Sequence, residues 1–330
     1  MAGPLAHLAD AVLDRTVVAG YTRIGSGVRR RWWPEDAAPG SLQGRRIVVT
    51  GATSGIGEAA AEGLADLGAT VHLLGRNADK VAAAAAELRE HGADIVEEVC
   101  DVGDLEAVRA WALDLRGRVP ALHGVLHNAG TMTPQRTETA QGHEATLAVH
   151  VLGPHLMTSL LLPALRAAGG SSVVWMSSGG MYGARLHADD ADDLEYRTGR
   201  YDAVQAYART KRMQVVLADA WARSLTASGS GDVRVESMHP GWVATPGVST
   251  HLPTFERITR PLLRRPADGA DTAVWLLAVR PSSRRPGHFW HDRAQRPTTV
   301  GWERGQDPDA VDRLIAYVER ATGVRVGRGA

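Results

Sequence analysis

Cysteine is almost missing from this chain. Cys100 stands alone among 330 residues, which excludes an internal disulfide framework and a cysteine-built zinc site, and fits a reducing compartment. Excess charge is missing too. Lys and Arg number 37 against 37 Asp and Glu, a formal net charge of +0, so no nucleic-acid surface is expected. No apolar run approaches the roughly 20 residues that span a bilayer. The first residues hold no continuous apolar core with a small-residue cleavage site, so no secretory leader is expected. Internal repeats are absent, and phenylalanine occurs only as Phe255 and Phe289. What remains is room for one large α/β unit or two small ones, expected to be cytoplasmic.

The most informative stretch is Arg45 to Gly57, R-R-I-V-V-T-G-A-T-S-G-I-G. The β-branched run Ile47-Val48-Val49 leads into Gly51, Gly55 and Gly57, with Ser54 and Ile56 between them, and then into Glu58-Ala59-Ala60-Ala61. That order reads as a buried strand, a tight turn and the opening of a helix. Unpaired N–H groups of the helix's first turn would face the pyrophosphate of a dinucleotide. The spacing is three-then-one, unlike the commoner one-then-two fingerprint, and a glycine triplet alone is equally a structural turn. The flanking strand and helix favour dinucleotide binding.

A second strand, Thr70–Leu74, ends at Gly75-Arg76-Asn77, eighteen residues after Gly57. A site that prefers NAD usually has an acidic residue there for the ribose 2′-hydroxyl. Gly75 is neutral and Arg76 cationic, which suits a 2′-phosphate. NADP is therefore the expected cofactor and NAD the less favoured one. The alternative is an arginine that only covers the adenine face.

Strand and helix keep alternating. A helix over Ala78–His91 leads to a strand at Ile95–Val99 and then Asp101-Val102, where Asp101 either accepts from the adenine amino group or caps the helix starting at Asp104-Leu105. Leu122–Leu126 is the fourth strand. The small residues of Asn128-Ala129-Gly130 after it permit close approach of a cofactor. A helix passes through His150 to Gly153, and Ser171–Met176 is the fifth strand, closing on Ser177-Ser178. Residues 179–206 carry a run of charged side chains, Glu195 among them, and read as a solvated surface. In Tyr207-Ala208-Arg209-Thr210-Lys211 the outer pair shares one helix face at i and i+4, where an ammonium would lower the phenol's pKa.

Farther on, Pro246–Pro261 reads as a mobile lid, Asp268–Val279 as a helix, His288-Phe289-Trp290 as the last strand and Asp309–Thr322 as a terminal amphipathic helix. Trp242, Phe255, Trp275 and Trp290 either line an apolar pocket or sit in the core. His143, His150 and His155 share no helical face well and lack an acidic or thiol partner, so no metal is expected. At the other end, Leu5, Leu8, Val12, Leu13 and Val17 recur at helical spacing, and Arg29-Arg30-Arg31-Trp32-Trp33 follows before a Pro/Gly linker. Residues 1–33 either make peripheral contact with an anionic membrane face or pack on the main domain or a partner subunit. The packed arm is the plainer reading.

Jointly these motifs resemble the short-chain dehydrogenase/reductase family. They run in order as T-G-A-T-S-G-I-G at 50–57, Asp101-Val102, H-N-A-G at 127–130, Ser178, Tyr207 with Lys211, and H-P-G-W-V-A-T at 239–245. The run S-S-G-G-M-Y and the long insert before the tyrosine resemble the retinol-dehydrogenase-like branch and its member 12 group. The resemblance implies a Rossmann-like, doubly wound α/β domain over 44–330, with a mostly parallel sheet and a helical extension at 1–43. It implies a homo-oligomer and NADP(H)-dependent interconversion of a carbonyl and an alcohol on a small lipophilic substrate. In that scheme Tyr207 exchanges the hydroxyl proton, Ser178 bonds the substrate oxygen and Lys211 holds the nicotinamide ribose. Pro240, Gly241, Val243 and Thr245 resemble the loop over the nicotinamide amide.

One position departs from the family pattern. His150 stands where an asparagine is common, at a place whose backbone holds a water linking the lysine to solvent. Three readings stay open: a tolerated substitution, a proton relay, or impaired catalysis. The last would leave an NADP(H)-binding, redox-responsive interaction module.

Overall fold

The computed structural model describes residues 4–186, 188–230, 232–251, 253–281, 289–299 and 307–329. Its strands are β1 (Arg46–Thr50), β2 (Thr70–Gly75), β3 (Ile95–Val99), β4 (Gly124–His127), β5 (Ser171–Met176), β6 (Val233–Met238), β7 (Phe289–His291) and β8 (Ala294–Arg296). They form one sheet in the order β3-β2-β1-β4-β5-β6-β7-β8, parallel except for the antiparallel β7–β8 pair. The doubly wound α/β expectation stands. Strand order reverses between β1 and β4, and such a switch point opens a crevice at the strands' carboxyl ends.

Apolar residues on successive strand positions reach both faces, as a covered parallel sheet requires. Val48, Val125, Val173 and Trp175 pack under the helices Leu105–Arg118, Gly153–Ala167 and Ala203–Ala227. Ile47, Val49, Leu126 and Val174 pack under Gly55–Asp66, Ala78–Glu90 and Pro266–Val279. The helix entering Gly153 passes through a π-helical turn at Ala148–Leu152. The whole stretch Ala145–Ala167 is long and apolar enough to cross a membrane, although His150 and His155 interrupt its apolar run. Its most apolar 18-residue window is 89% buried inside the protein.

Where sequence and structure differ, the cause is local. β6 and β8 escape the sequence reading. β8 does so because the β7–β8 turn is Asp292-Arg293, both at positive φ (51° and 54°), where a two-residue hairpin usually signals itself with Asn-Gly. Expected strand residue His288 lies outside the described residues. The segment read as a lid holds two short helices, Pro246–His251 and Pro253–Thr259, and the side chain of Phe255 lies outside the described residues.

The N-terminal arm packs on the main domain, and it does so by the polar side of its helices, Pro4–Arg15, Val17–Tyr21 and Arg23–Arg29. Asp10 accepts from Arg29 Nε at 2.7 Å and from Arg296 at 2.6 Å, while Leu8 and Val12 stay 64% and 54% exposed. Arg29, itself 1% exposed, donates to Asp292 at 2.9 Å, and Arg264 donates to the other carboxylate oxygen at 2.5 Å. Asp14 completes the set, 3.6 Å from Arg296 and 3.9 Å from Arg29. Three guanidinium groups thus meet three carboxylates. The basic cluster is partly consumed, since Arg30 pairs with Asp268 at 2.6 Å and lies over the Trp33 ring, which Arg293 also covers.

Burial alone would raise the Asp292 carboxyl. The guanidinium groups of Arg264 and Arg29 outweigh it and hold the carboxyl below its ordinary range. A depressed carboxyl stabilises the fold above the unfolded-state value of about 3.9, and that contribution fades as pH falls through the folded value. Removing one member of a buried ion cluster leaves the others uncompensated. Asp292→Asn is therefore expected to lower stability by about 3–5 kcal/mol in thermal or urea unfolding. Arg89→Met, which breaks an exposed pair with Glu97, is expected to cost less than about 1 kcal/mol. Equal effects from the two changes would contradict this account of the arm.

Candidate active site

A cleft of about 1650 Å³ opens at the carboxyl ends of β1, β4, β5 and β6. Single small-ligand pockets run to about 300–1,000 Å³, so this one has room for a dinucleotide and a second molecule. Ser178, Tyr207, Lys211 and every residue expected to hold a cofactor border it. His150 does not.

At one end sits the glycine turn. Ser54 precedes the helix Gly55–Asp66 and makes no side-chain cap, which leaves the first-turn N–H groups available to an anion. Gly55 has φ +61°, a conformation that disfavours any side chain, and a Cβ on Gly57 would lie 2.3 Å from the Gly51 carbonyl oxygen. The turn is cradle-shaped, and a larger residue would fill it. Asn128 braces it from beneath: its side-chain amide donates to the Thr50 and Gly51 carbonyls at 3.0 and 3.2 Å.

Two expectations shift nearby. Asp101 does not cap the following helix. It accepts from Gly103 N at 2.8 Å, and Asp104 takes the capping role through Glu106 N and Ala107 N. Asn77 caps the helix Ala78–Glu90 by accepting from Lys80 N at 2.9 Å. Lys80 itself, one turn after Arg76, borders the cleft as a second cation that the sequence reading overlooked. The i, i+4 spacing was the available signal.

Below the turn, β5 ends in two serines with different fates. The Ser177 hydroxyl is buried and donates to the Lys211 carbonyl at 2.8 Å, while Ser178 borders the cleft. Lys211 donates from Nζ to Met176 O at 2.8 Å and lies 5.4 Å from the Tyr207 ring centre. Burial pulls its amine down to about 7. Burial also pushes the Tyr207 phenol up, with a hydrogen bond from Ser178 working against the rise. The expected lowering of the phenol by a nearby ammonium is thus reversed. Taking the phenolate out of water costs more than the lysine returns, because the lysine's own charge is disfavoured in the same place.

His150 lies behind this floor. Thr210 Oγ1 donates to backbone carbonyls of Ala206 and Tyr207, so the 2.8 Å contact to His150 Nδ1 places the ring proton on Nδ1. Nε2 then accepts from Thr131 N at 3.1 Å. Burial, with Lys211 adding to it, pushes the imidazole well below its ordinary range. A neutral ring whose Nε2 is taken by a backbone amide favours the tolerated-substitution reading over the relay. The His150 carbonyl accepts from Gln214 at 2.9 Å. The other histidines have separate partners: His143 meets Glu195 at 2.7 Å, and His155 accepts from Trp221 Nε1 at 3.1 Å. Among the described residues no cluster of three potential metal ligands occurs.

Glu195 corrects the solvated-surface reading of 179–206. It is buried, accepts from Glu144 N and the Tyr317 hydroxyl, and is held below its ordinary range by these bonds and by His143 against the effect of burial. Trp275 and Trp290 are core residues stacked edge to face at 5.6 Å, whereas Trp242 borders the cleft. Ala11, Asp14 and Tyr21 border it too. No local pattern in the sequence marks these three.

Residues 45–186 match the family model described as short chain dehydrogenase. The chain is 34% identical over 303 residues to dehydrogenase/reductase SDR family member 12 of Bos taurus, covering 91% of this chain and 93% of that one. It is 32% identical over 243 residues to retinol dehydrogenase 11 of Mus musculus, covering 71% and 73%. Among solved structures it resembles a Shigella flexneri short chain dehydrogenase complexed with NADP, with a TM-score of 0.62 and 28% identity, covering 78% of this chain and all of that one.

The state assigned to His150 is open to direct measurement. In nitrogen-15 NMR spectra of the histidine side chains, one imidazole is expected to stay neutral and Nδ1-protonated well below the ordinary value of about 6.5. His150→Gln should delete that signal. Its titration between about pH 6 and 7 would restore the relay reading.

Proposed function

The chain belongs to the short-chain dehydrogenase/reductase family, and from that premise we propose that it reduces a carbonyl to an alcohol, or runs the reverse, with NADP(H) on a lipophilic substrate. The observation that carries the reading is the convergence of Ser178, Tyr207 and Lys211 on the floor of one cleft whose far end is the glycine turn. The cradle at Gly51–Gly57 would hold the pyrophosphate, and Arg76 with Lys80 the 2′-phosphate. The complex of the Shigella flexneri relative with NADP supports that choice over NAD. The retinol acted on by the mouse relative supports a lipophilic substrate.

When bound, a reduced nicotinamide supplies the hydride. This chain's residues do the rest. Ser178 holds the carbonyl oxygen by donating its hydroxyl, and Tyr207 delivers the phenolic proton to that oxygen. A phenol raised by burial keeps its proton at neutral pH, so it is poised as the acid that reduction needs. Lys211, 5.4 Å from the Tyr207 ring centre, in its ammonium form steadies the phenolate left as the proton departs. The competing module without turnover is weakened because His150 stands behind the floor and leaves this trio unobstructed.

A second reading concerns location. Leu8, Val12, Val18 and Ile24 are each more than half exposed along the arm, and Arg23 and Arg31 are exposed beside them. Exposed apolar side chains with basic neighbours fit the face of an anionic bilayer, where a lipophilic substrate would be found. Co-sedimentation with anionic vesicles, compared between the full chain and a Leu8→Ser, Val12→Ser, Val18→Ser variant, tests it. Equal pelleting would remove it.

NADPH is expected to quench tryptophan fluorescence at lower concentration than NADH, and Arg76→Asp should reverse the order. Tyr207→Phe is expected to lower kcat for aldehyde reduction by roughly 10²- to 10⁴-fold while NADPH still binds. Binding of neither nucleotide, or full activity of Tyr207→Phe, would overturn the proposal.

A further inference from the structure

The N-terminal arm has an inner face that the ion cluster alone does not explain. Tyr21 ends the helix Val17–Tyr21, is buried, and borders the cleft that holds Ser178 and Tyr207. Its ring lies so close to Gly179, the residue after Ser178, that a Cβ there would meet Tyr21 Cε2 at 2.7 Å. The same ring stands edge-on to His239 at 4.5 Å and to Trp242 at 6.4 Å between centres. Its carbonyl accepts from Trp242 N at 2.8 Å and from Arg264 Nε at 2.9 Å, which ties the end of this helix to the loop after β6. Burial pushes the phenol up to about 12, with Asp14 adding to the rise, so it remains a neutral hydroxyl. Ring and backbone are both held, and the residue lines the cavity.

The aromatic lining continues from Tyr21 through His239 and Phe289 to Tyr182. Tyr182 borders the cleft, fixed by donating its hydroxyl to Pro297 O at 2.6 Å and by an edge contact with Phe289 at 5.9 Å. Resting on the carbonyl-reductase reading above, we infer that Tyr21 is a substrate-contacting, specificity-determining residue, and that the arm forms the wall against which a flat, apolar carbonyl compound is positioned beside Ser178. A rigid aromatic ring next to the oxygen-holding hydroxyl favours a planar apolar body over a short flexible chain, because edge-to-face contact and burial grow with the area that meets the ring. The arm's two tasks are separable. Arg29 and Asp10 hold it in place, and Tyr21 faces what enters.

The test compares a bulky aromatic ketone with a short aliphatic aldehyde as substrates of the full chain with NADPH, in wild type, Tyr21→Ala and Tyr21→Phe. Tyr21→Ala is expected to lower the ratio of kcat/KM for the ketone over the aldehyde by about tenfold, mainly through KM, the size of effect that a lost pocket contact has. Tyr21→Phe should keep the ratio. Thermal melting and NADPH affinity report whether each variant is folded, and Tyr21→Leu replaces Tyr21→Ala if the latter is not. A ratio that moves less than about twofold in the truncated variant, or equal losses for both substrates, overturns the inference. Should the wild type reduce neither compound, the functional reading fails by itself. Calorimetric binding of the ketone then decides Tyr21: weakening of about tenfold in Tyr21→Ala supports its role, and unchanged affinity refutes it.

Discussion

Asp292 sits between two guanidinium groups that arrive from opposite ends of the chain, Arg29 from the arm and Arg264 from the segment after β6. Much of the cleft's far side depends on that meeting. Arg264 also donates to the Gly20, Tyr21 and Pro240 carbonyls, so one side chain joins the arm, the loop over the cleft and the last hairpin. Buried ion clusters add little net stability over an apolar core of the same shape, because desolvation offsets most of the attraction. They do penalise any arrangement in which one partner is missing. We read the cluster here as a device for position: it permits one seating of the arm and makes others costly. The turn that presents Asp292 carries the expense, since Asp292 and Arg293 both occupy left-handed backbone, a strain on the order of 1–3 kcal/mol each.

The strained pair also shows why parts of the molecule were unreadable from sequence. The glycine turn, the first five strands and the Tyr207–Lys211 pair are local patterns, with spacing that only a few conformations satisfy. A two-residue turn built from Asp292 and Arg293 sends no such signal, because its conformation is imposed by partners 22 to 263 residues away. The seating of the arm is hidden for the same reason. Its leucine and valine spacing correctly announces a helix, but amphipathicity predicts only that one face is apolar, and burial of that face is an assumption. Here three ion pairs reach the polar face first. Tyr21 and Asp14 then enter the cleft as consequences of a docking that no window of sequence contains.

Glu195 and His150 are cases of the opposite kind, in which composition is legible and environment is not. A run of acidic residues is usually solvated, yet one of them can be drawn inward when backbone N–H, imidazole and phenol donors are all available to it, as at Glu195. A histidine in a family position suggests titration only while it keeps a free nitrogen and some water. The π-helical turn at Ala148–Leu152 carries His150 into a buried place with both nitrogens bonded, between Thr131 and Thr210. Such turns are rare and often sit at functional sites. This one sets the histidine behind the floor of the cleft and gives its carbonyl to Gln214.

The floor itself is governed by desolvation more than by attraction. Burial moves the Lys211 amine down and the Tyr207 phenol up, so in this cleft both groups lean toward their neutral forms. Neutral partners matter for the direction of chemistry. A phenol that keeps its proton can give it to a developing alkoxide, and an amine near 7 can take its ammonium form at little cost to steady the phenolate. Adding the 2′-phosphate and pyrophosphate of a dinucleotide would place anions at the far end, nearest Arg76, Lys80 and the helix N-terminus, where the cations already wait. On the proposed reading the tasks separate along the cleft: charge recognition at the glycine turn, proton transfer at the floor, and an aromatic wall held by the arm's ion cluster for the second molecule.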